Sequence, residues 1–191
     1  EDVIKDFNAV KCCGGVDGGS ISIVPDPTGD PKRGNVMRVF QAKGSHTFKG
    51  GSDGQWQAGL DGKHEELYFS FDLYREPGTV TSKGQKMSGL MGGDWAIASG
   101  GNPSAGQAFS ARLMFYAAAT YPGKGGDMAL GQYTYYLDSV QKVKWYDDNP
   151  DMGQYFIKNG VWQTIETRIK MNTAGKANGV LQAWVNGELY L

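Results

Sequence analysis

Apolar and polar residues alternate with a period of two in short stretches at 20–24, 36–42, 66–74, 108–116, 128–137, 162–171 and 180–185. Alternation of this kind marks strands with one face in a core and one in water. The spacing of the stretches predicts an antiparallel all-β sandwich with few helices. Within 66–74, Leu67, Phe69, Phe71 and Leu73 fall on one face, and Tyr68, Ser70, Asp72 and Tyr74 on the other. Within 108–116, Phe109, Ala111, Leu113 and Phe115 are the core candidates, which sets Ser110, Arg112, Met114 and Tyr116 together on the opposite face. Within 128–137, Tyr133 and Tyr135 point the same way, with Cα atoms roughly 6 to 7 Å apart, while Tyr136 points to the other side.

The segments between these stretches, 24–34, 100–106 and 121–127, are rich in Gly, Asp and Pro and read as surface loops rather than linkers. No internal repeat interrupts the chain. A length of 191 residues suits one sandwich-sized domain over 1–191. Twenty-nine glycines against seven prolines, with frequent Tyr, Trp and Phe, fit short strands joined by tight turns.

Charge narrows the partners. A formal net charge of −1 and a pI near 6.2 provide no global basic field for nucleic acid or an anionic membrane, so an anionic ligand has to be met locally. No apolar stretch approaches the ~20 residues needed to cross a bilayer. Cys12 and Cys13 are the only cysteines and are adjacent, where direct pairing would strain the peptide between them. His46 and His64 form no metal-ligand motif, and His64 beside Glu65 and Glu66 reads as a surface residue. Asp147, Asn149, Asp151 and Gly153 resemble a calcium loop, but the glycine is displaced by one position and Lys158 stands where a bidentate acid belongs. No metal and no organic cofactor is expected.

Three pieces carry candidate chemistry: Lys86 in KMSGL, the Ser110-Ala111-Arg112 triplet, and Tyr133-Thr134-Tyr135. Elimination across a uronate sugar needs the carboxylate neutralised, a base for the C5 proton and an acid for the departing O4. Lysine, arginine and tyrosine can supply all three. A tyrosine acting as the base needs a neighbouring cation to favour its phenolate, and Lys86 or Arg112 is the candidate. Exposed strand tyrosines are also common without any chemistry, so a lectin-like sugar-binding domain stays open. A jelly-roll hydrolase would need two facing carboxylates. Glu166, with Arg168 and Lys170 on its face, reads instead as a salt-bridged exterior, and Trp162 and Trp184 as residues that pack or shape a sheet.

KMSGLMGG at 86–93, FSARLM at 109–114, Tyr133 to Tyr135, GVWQTI at 160–165, and NTAG at 172–175 leading to GVLQAWVNG at 179–187 together resemble polysaccharide lyase family 14. The glucuronan lyases of family 20 are its structural relatives. The resemblance implies a β-jelly roll of two antiparallel sheets with a concave substrate cleft, and elimination on alginate or a related polyuronate without a cofactor. Lys86, Tyr133 and Tyr135 match the family's catalytic positions, and Ser110 and Arg112 its substrate-contacting pair. The chain departs from the family spacing at 121–127, where it adds a glycine-rich loop. The expectation is a secreted or extracellular monomer whose partner is an acidic polysaccharide.

Overall fold

The computed structural model describes residues 9–11, 20–45, 54, 56–79, 84–94, 107–116, 128–136 and 155–191. The chain divides into two compact units, Glu1–Lys63 and His64–Leu191. Cys12, Cys13, His46, the 121–127 loop and the calcium-like segment at 147–153 lie outside the described residues.

The first unit contains two antiparallel pairs. Strand β1 (Ala9–Lys11) pairs with β4 (Trp56–Ala58), and β2 (Ile21–Pro25) with β3 (Asn35–Val39). The connection from β2 to β3 is organised by Asp26. Its buried carboxylate accepts the Thr28 hydroxyl at 2.5 Å and the Asp30 amide at 2.9 Å, which satisfies local donors that a turn would otherwise leave bare.

The second unit is an all-β sandwich of jelly-roll type, built from two four-stranded antiparallel sheets. One sheet has the order β12 (Glu188–Leu189), β11 (Val180–Val185), β10 (Trp162–Lys170), β5 (Glu66–Tyr74). The other runs β6 (Gln85–Gly93), β7 (Ala108–Tyr116), β8 (Met128–Tyr135), β9 (Tyr155–Ile157). Period-two alternation places the core between them. Leu113, Phe115, Met128, Leu130 and Ile157 of the second sheet meet Ile165 and Val185 of the first, with Phe71 and Leu73 packed against them. Each such side chain contributes roughly 1.5–3 kcal/mol by leaving water. The inward face of β5 is therefore the one the alternation selects.

The hairpin from β11 to β12 turns at Asn186-Gly187, with φ of 51° and 81°. A two-residue turn with both residues in the left-handed region matches strand twist, and Asn-Gly is the dipeptide that tolerates it best. The Asn186 carboxamide oxygen also accepts the Thr164 amide at 2.9 Å, tying the turn to β10.

The outer face of the first sheet is a packed exterior. Arg168 does make a salt bridge there, but with Glu66 across the strand at 2.7 Å, and its guanidinium also donates to Gln182. Trp162 packs on Tyr74 with ring centroids 5.4 Å apart, and Trp184 stacks near Tyr68 at 6.4 Å. His64 is exposed.

Alternation does not predict the short strands β1, β4, β9 and β12, nor the nine-residue strand β6. In β6 the reason is local. Glycines at 89, 92 and 93 and an irregular register between Lys86 and Gly89 erase the period-two signal.

Candidate active site

The outer face of the second sheet collects the predicted residues. On β7, Ser110 stands opposite Tyr135 of β8, and Arg112 opposite Tyr133. On β6, Lys86 stands opposite Met114 of β7. Since Leu113 and Phe115 face the core, Ser110, Arg112 and Met114 must face away from it, and so must Tyr133 and Tyr135 across the ladder. All five predicted site residues thus fall on one face of three adjacent strands.

The contacts are close. The Tyr133 and Tyr135 hydroxyls are 2.5 Å apart and hydrogen-bonded, and their rings meet edge to face at 84° with centroids 5.2 Å apart. The Arg112 guanidinium carbon lies 5.1 Å from the Tyr133 ring centre and 5.6 Å from that of Tyr135. The Lys86 ammonium lies 4.9 Å from the Tyr133 ring centre. Ring faces attract cations, so Tyr133 draws both onto one spot. Ser110 is buried beneath this group at 1% exposure.

Two cations over one ring repel each other, and no carboxylate among the described residues pairs with either. The Nε and Nη2 atoms of Arg112 are buried without a hydrogen-bond partner. Buried guanidinium donors left in that state are costly unless a ligand satisfies them. The arrangement gathers two cations, one with unsatisfied guanidinium donors, on this face of the sheet.

Proton affinities follow from the same geometry. Burial first, and then the Arg112 charge, hold the Lys86 ammonium below its ordinary value, which favours the free amine. Tyr133 moves the other way. Burial, the hydrogen bond with Tyr135 and the Tyr135 charge together outweigh the pull of Arg112 and raise the Tyr133 phenol above its usual range. The cation-favoured phenolate expected from the sequence is therefore not what the fold makes of Tyr133. Arg112 is itself lowered, chiefly by burial, while the two tyrosines act to raise it.

Two further residues belong to this face. Met114 is buried and packs with Ala129, Tyr133, Tyr135 and Phe156. Its parity placed it on the Arg112 face in the sequence, but nothing there distinguished it from filler. Gly89 stands opposite Arg112, and only the register reveals it. Among the described residues no group of His, Cys, Asp and Glu is gathered to hold a metal.

A family model for polysaccharide lyase 14 matches residues 30–191. The chain belongs to that family. The lyase-family match starts well before the motifs quoted above, within the first unit. No curated protein sequence matches this family member significantly. Among solved structures, it is similar to the marine PL-14 alginate lyase from Aplysia kurodai, at 20% identity and a TM-score of 0.65 over 96% of this chain and 70% of that one. Alginate lyase vAL-1 from Chlorella virus is similar at 20% identity and a TM-score of 0.60, covering 91% and 76%. A double mutant of alginate lyase Aly36B in complex with alginate trisaccharide matches at 21% identity and a TM-score of 0.53 over 66% of this chain. The chain spans about half, 51%, of that structure. At these identities the likeness is one of fold.

Proposed function

We propose that this polysaccharide lyase 14 chain cleaves a uronate-containing polysaccharide, alginate or a glucuronan-like polymer, by β-elimination. The observation that carries the reading is the buried, unpartnered edge of Arg112 held over Tyr133 and Tyr135 beside Lys86. Arg112 takes the uronate carboxylate, with Ser110 below it. Pairing the carboxylate with a cation makes the C5 proton more acidic, because charge that develops at C5 spreads into a group already neutralised. Lys86, whose amine is released at lower pH than an ordinary lysine, removes that proton. The C5–H electrons form the C4=C5 double bond, the C4–O4 bond breaks, and Tyr135 gives its proton to O4. Tyr133, kept as a phenol, holds the Tyr135 hydroxyl in place through their hydrogen bond.

Support for the substrate class comes from family membership and from alginate lyases sharing the fold. We read the whole chain as one lyase domain, since the family match runs across the boundary between the two compact units.

The test is far-ultraviolet absorbance of the unsaturated product during incubation with alginate, polymannuronate, polyguluronate and glucuronan at neutral and alkaline pH. A rise on at least one substrate is expected, and its identity names the preferred uronate. Binding of these polymers with no rise on any of them would turn the assignment to a lectin-like domain.

A further inference from the structure

Lys86 reaches the tyrosine face only because β6 is irregular. Gly92, Met91, Leu90 and Gly89 pair in unbroken order with Phe109, Ser110, Ala111 and Arg112. The next pair is Lys86 with Met114, so Met87 and Ser88 together oppose the single residue Leu113. That is a β-bulge, one extra residue on one strand. Had the ladder continued without it, Met87 would stand opposite Met114 and Lys86 opposite Phe115, which is 1% exposed in the core. The extra residue moves Lys86 from the oily face to the reactive one.

Gly89 is the residue beside the bulge, and its neighbours are backbone. A Cβ there would lie 2.2 Å from the Ala111 carbonyl oxygen and 2.5 Å from the Arg112 Cα. Contacts that short require something to move, and a paired backbone cannot swing aside as a side chain can. Gly92, on the same strand, differs in this respect, because the atoms nearest its missing Cβ belong to the Phe109 ring.

We propose that Gly89 is a positioning residue for the elimination: its close backbone approach to Arg112 anchors the bulge at Met87-Ser88 and so holds Lys86 over Tyr133. The inference rests on the reading of Lys86 as the base. It makes a prediction that a general loss of stability does not. Deleting Ser88 removes the extra residue while leaving Lys86 opposite Met114 in a regular ladder, so the deletion should make Gly89 dispensable.

The experiment is a cycle of Gly89→Ala, deletion of Ser88, and both together, with Gly92→Ala as the same-strand control. Each is read by circular dichroism, thermal melting and the pH profile of kcat/KM on whichever polyuronate the wild type cleaves. Gly89→Ala should lose on the order of 10²-fold in kcat, as a misplacement of about 1 Å does. The rising limb of its pH profile should move to higher pH as Lys86 leaves Arg112. The double variant should regain most of that loss, and Gly92→Ala should keep the wild-type limb. If Gly89→Ala does not fold, the double variant decides alone: folded and active supports the inference, and inactive or unfolded overturns it. A folded Gly89→Ala with wild-type kcat and an unmoved limb also overturns it. Lys86→Met separates the two levels. Elimination surviving in Lys86→Met defeats the base assignment, whereas elimination lost there but kept in Gly89→Ala defeats the positioning role alone.

Discussion

Replacing Tyr135 with phenylalanine removes one oxygen and almost no volume from the centre of the site. Two quantities follow, and they are separable. Loss of a positioned general acid lowers kcat by about 10²- to 10⁴-fold, equivalent to about 3–5 kcal/mol of barrier. Loss of the 2.5 Å hydrogen bond to Tyr133 costs about 1 kcal/mol of stability, which for a chain of this length lowers Tm by about 2–4 °C. KM should change little, because Arg112 and Ser110 still hold the carboxylate. Tyr133→Phe breaks the same hydrogen bond and should show the same Tm loss, but a smaller loss of kcat, because the proton donor remains. The measurements are initial rates of double-bond formation over a range of substrate concentrations, with melting curves on the same samples. A Tyr135→Phe enzyme turning over within about threefold of wild type would remove Tyr135 as the acid. Equal kcat losses in the two variants would assign the role to the hydrogen-bonded pair rather than to Tyr135.

Four further outcomes test the electrostatics and the frame. Lys86→Met should abolish elimination yet raise Tm at neutral pH; because the folded-state pKa of Lys86 lies below its unfolded value, burying the ammonium costs stability at neutral pH, and that gain should shrink as pH rises through the folded pKa towards about 10.4. Wild-type kcat/KM should rise with pH to a limb below the ordinary lysine value, and a limb at or above it would contradict the burial of Lys86. Arg112→Met should raise KM for polyuronate more than tenfold and abolish competitive inhibition by small oxyanions such as sulfate, seen as an unchanged rate on salt addition at constant ionic strength. Asn186→Ala should cost about 2–3 kcal/mol in denaturant melts, from left-handed backbone without Asn or Gly and from the lost bond to Thr164, while kcat below the transition stays at the wild-type value.

The legible parts of this fold were those where side chains alternate without interruption. Strand β5 could be read face by face, since Leu67, Phe69, Phe71 and Leu73 have no glycine among them. Strand β6 could not, because its glycines carry no hydropathy and its bulge reverses parity part-way along. Lys86 is therefore legible through its chemistry and the family resemblance, and not through periodicity. The facing of Arg112 and Tyr133 depends on long-range register, which local spacing does not encode. The direction of the Tyr133 proton affinity depends on burial, which spacing does not encode either, so the expectation of a cation-favoured phenolate had no means of weighing desolvation against Arg112. Trp162 and Trp184 were legible as packing residues because both lie on strands where the opposite parity already fills the core.

Strand β8 is flanked by β7 and β9, and all eight of its residues are buried, on both faces. A central strand without a wet side has no cheap local opening, so its amides should be among the last in the domain to exchange hydrogen with solvent. Tyr133 and Tyr135 sit on that strand. Their alignment is then as durable as the domain itself: heating should leave the tyrosine pair intact until global unfolding, and activity should be lost in the same transition as the fold rather than fade ahead of it.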